Sequence, residues 1–115
     1  MEARARSKYV RSSPRKIRRV IDLLRGKNVN EAIDMLHFIP KKAARIIEKT
    51  LQSAVANLGH LAGSKKLDFA HVVVSKAYVD GGPIAKRFLA GPMGRAKRIR
   101  KRFSHVTVIV SAEEA

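Results

Sequence analysis

The chain has 115 residues, with 25 Lys or Arg against 9 Asp or Glu, a formal charge of +16, and no cysteine. That length holds one domain, and the missing cysteine excludes disulfides and thiolate metal sites. Charge of this size repels itself unless a polyanion relieves it, so nucleic acid is the expected partner and an anionic membrane the alternative. No apolar run reaches the roughly 20 residues of a membrane span. Residues 1–20 carry eight basic side chains and no apolar signal-peptide stretch, and they run straight into a helical pattern, unlike a transit peptide. A cytoplasmic location is expected.

Residues 3–10 alternate, placing Arg4, Arg6 and Lys8 on one face of a short strand and Ala3, Ala5, Ser7 and Tyr9 on the other. Ser13-Pro14 supplies an N-cap and a first helical position. Ile17, Val20, Ile21 and Leu24 then mark one helical face, and Gly26 ends the helix. Asn30 is expected to cap a short second helix with Ala32, Ile33 and Leu36 inward, and Pro40 separates it from the next element. A long third helix, from about Lys41 to Leu61, carries the stripe Ala44, Ile47, Leu51, Ala54, Val55 and Leu58. Residues 63–66 read as a loop.

From residue 67 the composition turns β-branched. Pairing the runs 72–79 and 106–110 as a hairpin centred near Ala90 sets Val74 opposite Val106 and Val72 opposite Val108. Val72, Val74, Val106, Val108 and Val110 then share the face toward the helices. The assignment holds for any even-numbered register and fails for an odd one. The fold predicted is α+β: three helices on a small antiparallel sheet, with a long protruding β-hairpin. The body takes residues 1–80 and 103–115, and the hairpin takes 81–102.

That hairpin is distinctive. Residues 81–105 hold eight Lys or Arg and no acid. On the return strand Arg95, Lys97 and Lys101 alternate with Arg98, Arg100 and Arg102, so both faces are basic; a strand packed on a core would not be. At about 3.3 Å per residue the ribbon reaches some 35 Å past the body. Its tip, Phe88, Leu89, Ala90, Gly91, Pro92, Met93 and Gly94, is uncharged and suited to bases or to lining a passage rather than to phosphate. Asp80-Gly81-Gly82-Pro83 marks the junction, where the glycines allow φ > 0 or a bulge.

Catalytic chemistry finds no support. His37, His60, His71 and His105 form no H-x-x-x-H pair, although His71 and His105 are expected to approach on the sheet. There is no P-loop around Gly91 and Gly94, no Ser/His/Asp spacing, and the carboxylates are scattered. No cofactor, metal site or enzyme activity is expected.

The run YVDGGPIAKRF…GRAKRIRKRFSHVTVIV, the opening ARARSKYVRSSPRKIRRVIDLLRGK and the central AARIIEKTLQSAVANL together resemble the family of large-subunit ribosomal protein twenty-two over nearly the whole chain. The resemblance implies a structural constituent of the large ribosomal subunit that binds rRNA and supports its assembly. It implies a hairpin running through rRNA to the wall of the peptide exit tunnel, beside ribosomal protein four of the large subunit and the nascent peptide. By motif match it marks Arg4, Arg6, Lys8, Arg11, Arg15, Lys16, Lys86, Arg87, Arg95, Lys97, Arg98, Arg100, Lys101, Arg102, Ser104 and His105 as rRNA contacts. Phe88 to Met93 are the tunnel-tip candidates. The family usually has an acid where Gly81 stands and an RPRA-like run where this chain has Leu89-Ala90-Gly91-Pro92. An architectural DNA-binding ribbon, with Pro92 as a wedge, and a structure-blind polycation are the competing readings.

Overall fold

The computed structural model describes residues 2–62 and 71–112. Strand β1 (Glu2–Val10) leads into helices α1 (Pro14–Ile21), α2 (Val29–Phe38) and α3 (Lys42–Ala62). Two long strands follow, β2 (Val72–Ala90) and β3 (Ala96–Ala112). The sheet is antiparallel in the order β1-β3-β2. The class is α+β, three helices on a three-stranded sheet, as expected. The loop read at 63–66 and the β-like residues 67–70 lie outside the described residues.

The helical stripes bury as their spacing predicts. Ile17, Val20, Ile21 and Leu24 are buried, and Gly26 at φ 79° ends the turn after α1. Ser13 stands at the N-cap with Pro14 next, but the Ser13 hydroxyl makes no capping bond. The cap of α2 is Asn28, not Asn30: the Asn28 side chain accepts from the Asn30 N–H at 2.9 Å. The helix therefore starts earlier and buries Val29 with Ala32 and Leu36, while Ile33 is half-buried. On α3, Ala44, Ile47, Leu51, Ala54 and Leu58 are fully buried and Val55 partly so. Each Leu or Ile removed from water contributes roughly 1.5–3 kcal/mol. Its small residues let α3 lie against β1 and β3, and α1 covers β2.

Val72, Val74, Val106, Val108 and Val110 are all fully buried, so the predicted face is right. The register is not. Val74 pairs with Val110 rather than Val106, and Val72 with Ala112. An extra residue at Ser75 bulges β2 between Val74 and Lys76. Beyond it the inward set moves to Ala77, opposite Val108, and Val79, opposite Val106. A bulge reverses the parity of a strand, so an odd shift changes which residues face the core without breaking the sheet. A second bulge lies between Gly81 and Ile84, as the junction glycines suggested, and neither Gly81 nor Gly82 has positive φ. The ladder closes at Ala90–Ala96, so the turn centres on Met93, not on Ala90. Met93 and Gly94 carry the left-handed φ values, 59° and 74°. The register also separates two histidines expected to meet: His105 pairs with Asp80, while His71 precedes the first pair of β2.

Polar groups close both edges of the sheet. At the edge of β2, the Gly26 N–H donates to the Val74 carbonyl and the Val74 N–H to the Lys27 carbonyl, each at 2.9 Å. Arg25 Nε donates to the Ala77 carbonyl at 3.0 Å and Arg18 Nη2 to the Val79 carbonyl at 2.9 Å. At β1, Asn57 donates to the Arg4 carbonyl at 2.9 Å. Thr50 gives its proton to the Ile46 carbonyl, so the Ser7 hydroxyl is the donor in their 2.7 Å contact. Satisfied edges leave little backbone open to pairing with another chain.

Two glycines give opposite expectations. A Cβ on Gly82 would lie 3.0 Å from the Phe103 carbonyl oxygen, backbone held in the ladder, whereas one on Gly59 in α3 would meet nothing within 4 Å. Gly82→Ala is expected to destabilise by about 1 kcal/mol through that contact. Gly59→Ala is expected to stabilise by about 0.5–1 kcal/mol through helix propensity. Urea unfolding of the two variants checks the signs.

Candidate nucleic-acid interface

The basic face of β1 forms as predicted. Ala3 and Ala5 bury inward, and Arg4, Arg6 and Lys8 are exposed. Arg6 is the one of these three that meets an acid, its Nη2 lying 3.9 Å from Asp80 across the sheet. Tyr9 departs from the inner face. At φ 56° it sits in an irregularity between Ser7 and Val10, its side chain 63% exposed. Its N–H donates to His105 Nδ1 at 3.1 Å and its ring meets the imidazole edge-on, centroids 4.9 Å apart. His105, half-buried, thus joins β1 to β3.

Ser104 is fully buried, and its hydroxyl donates to the Ser12 carbonyl at 2.6 Å. That bond holds the segment following β1 and occupies the hydroxyl inside the fold. Beside this segment Arg11 and Lys16 line an open cleft together with Arg19, Lys41 and Lys42. Arg15 is exposed on the first turn of α1.

The other basic candidates lie on the β2–β3 ribbon. β1 makes its last pair at Ser104, and beyond it β2 and β3 pair only with each other, from Ile84–Arg102 to Ala90–Ala96. The chain measures 67 × 25 × 16 Å. The register sets Lys86 opposite Arg100, a like-charged cross-strand pair of the kind that destabilises a sheet. It sets Arg87 opposite Ile99, Phe88 opposite Arg98, Leu89 opposite Lys97 and Ala85 opposite Lys101. Lys86, Arg95 and Arg102 are exposed and Lys101 is half-buried. The side chains of Arg87, Lys97, Arg98 and Arg100 lie outside the described residues, as do those of Leu89, Ala90 and Pro92. In the turn Met93 is 98% exposed, and Phe88 on β2 is 66% exposed. The Gly91 N–H donates to the Arg95 carbonyl, which closes the loop. The uncharged end is therefore one exposed Met in a tight turn, with Phe88 back on the strand.

Composition misleads about several cations. Arg18 and Arg25 satisfy edge carbonyls of β2. Arg45 Nη2 takes the carbonyls of Leu36, His37 and Ile39 at 2.8, 2.9 and 2.9 Å, and its Nη1 takes Glu48 at 2.8 Å. These arginines hold backbone in place and are not available to a partner. The cations that sequence reading passed over as ligands are Arg19, Lys41 and Lys42. One signal was present: Lys41-Lys42 opens an amphipathic helix with no acid in its first turn, where a negative residue ordinarily stands.

A family model described as ribosomal protein L22p/L17e matches residues 5–111. The chain is 54% identical over 114 residues to the large ribosomal subunit protein uL22 of Halothermothrix orenii, an alignment covering 99% of this chain and 98% of that protein.

Proposed function

The chain belongs to the ribosomal protein L22p/L17e family, and from that membership we propose that it is a structural constituent of the large ribosomal subunit in the cytoplasm. In this reading it binds rRNA, supports subunit assembly, and performs no catalysis. The molecule works in two parts: a body that anchors on rRNA and a ribbon, residues 81–102, that runs through rRNA to the wall of the peptide exit tunnel. There the Met93 turn and Phe88 face ribosomal protein four and the nascent peptide.

One observation carries the reading. The β2–β3 ladder continues past the last pair of β1 with basic residues on both strands and no acid among residues 81–105. Such a ribbon opposes like charges and is marginal by itself in water, so a polyanion must supply what a core does not. Phosphates do so by counterion release, and the ribbon reads the shape of folded RNA rather than a base code. The rRNA contacts in this reading are Arg4, Lys8, Arg11, Arg15 and Lys16 on the body and Lys86, Arg87, Arg95, Lys97, Arg98, Arg100, Lys101 and Arg102 on the ribbon. Arg6 contributes less, because Asp80 shares its charge.

Competition at matched salt tests it. A structured large-subunit rRNA fragment is expected to displace duplex DNA of equal phosphate count. Tighter DNA binding would favour the architectural DNA reading. Full displacement of the rRNA by anionic vesicles would favour the simple polycation.

A further inference from the structure

We infer that the body carries its own phosphate-binding site, separate from the ribbon, in the cleft between the segment 11–16 and the α2–α3 corner. The inference rests on the rRNA reading above and names a subsite within it: one RNA phosphodiester seated among Arg11, Lys16, Arg19, Lys41 and Lys42.

The cleft is about 520 Å³ and open to solvent. A single water needs only about 10–15 Å³ on this measure, so the space fits a multi-atom ligand. Five cations line it and no carboxylate does. Among the described residues none of the five side chains has an ion pair or hydrogen bond, whereas Arg6, Arg25 and Arg45 each have an acid. The acids nearest in the fold are thus committed elsewhere, and the repulsion among the five is left uncompensated. The Ser13 hydroxyl also lines the cleft and makes no capping bond, which leaves it able to donate.

The walls are built independently of the charges they carry. One is pinned by the buried Ser104 hydroxyl on the Ser12 carbonyl at 2.6 Å, and by the Ser12 N–H on the Val10 carbonyl at 2.8 Å. The other is pinned by Arg45, whose three carbonyl contacts tie the end of α2 to the start of α3 and so place Lys41 and Lys42. Cations held by backbone anchors rather than by each other are preorganised, so an entering phosphate orders little more than side-chain tips. Lysines and arginines with a hydroxyl donor suit the oxygens of a phosphate.

Two measurements on the full chain decide this. In the first, inorganic phosphate is exchanged for chloride at constant ionic strength while backbone amide resonances are followed. Shifts confined to Ser13, Lys16, Lys42 and Ala43, and lost in Lys41→Gln/Lys42→Gln, are expected; shifts spread evenly over all basic surfaces would overturn the site. In the second, the double variant binds an rRNA fragment. Binding is expected about tenfold weaker, with a salt slope shallower by about 1.4 from two lost contacts at roughly 0.7 each. Its melting temperature is expected to be unchanged, since both lysines are exposed. Wild-type affinity and slope would overturn the site while leaving the ribbon reading intact. A polyglutamate peptide that outcompetes RNA of equal charge at this cleft would likewise overturn it. Failure of the rRNA reading itself shows separately, as a wild-type preference for duplex DNA; the phosphate shifts then uphold or overturn the cleft alone.

Discussion

Removing residues 84–100 is expected to abolish most of the salt dependence of rRNA binding and to leave the body's cooperative thermal transition in place. If the ribbon neutralises about five phosphates, at roughly −0.7 per contact, the logarithm of affinity falls with a slope near −3.5 against the logarithm of salt. Between 50 and 200 mM salt that is about a hundredfold in affinity, and the deletion variant is expected to lose most of it. The body survives because its core lies elsewhere: no buried apolar residue among those described falls within 84–100. β1 still pairs with β3 from Ser104 to Ser111, and β2 with β3 through Gly81–Ser104. Filter binding across a salt series and circular dichroism melting check the two halves of this expectation. Loss of the melting transition would refute the division into body and ribbon.

Leu51→Ala is expected to cost about 3 kcal/mol, the largest effect of any single truncation considered. Leu51 is fully buried in the middle of α3, the helix that meets β1, β3, α1 and α2 together. The loss combines the transfer term with a cavity that five surrounding elements cannot all collapse into. Against a total of roughly 5–15 kcal/mol, this lowers the melting temperature by on the order of 10 °C. Gln52→Ala, one position along and exposed, is expected to stay within about 0.5 kcal/mol. Saturation with rRNA at a hundred times the dissociation constant restores about 2.7 kcal/mol, because only the folded chain presents the paired ribbon and the cleft. A calorimetric scan with and without the rRNA fragment measures both effects. An unrescued variant would mean that the unfolded chain binds RNA equally well.

Much of the architecture was legible in the residues alone. The alternation of Arg4, Arg6 and Lys8 with Ala3 and Ala5, the stripe from Ala44 to Leu58, and the stop at Gly26 are local signals. Each depends on a period of two or of 3.6, or on one residue's preferred φ. The inward valines and the ribbon's charge were equally plain. Less plain was what the cations do. Arg18, Arg25 and Arg45 look like their neighbours Arg15 and Arg19, yet they satisfy backbone carbonyls of other elements.

By itself, then, the sequence determined the α+β class, the faces of its helices and of β1, and a charge that demands a polyanion. Only the tertiary structure decided the strand register, the position of the turn at Met93, and which cations remain open to a partner. The physical reason is the same in each case. Periodicity and composition are properties of neighbours along the chain. A bulge at Ser75 or Gly82 adds a residue to one strand without altering either property, and so reassigns every pair beyond it. Whether a guanidinium meets a carbonyl, an acid or an empty cleft is settled by elements far away in sequence. Arg11 and Lys42 share a wall only because α3 returns beside the end of β1.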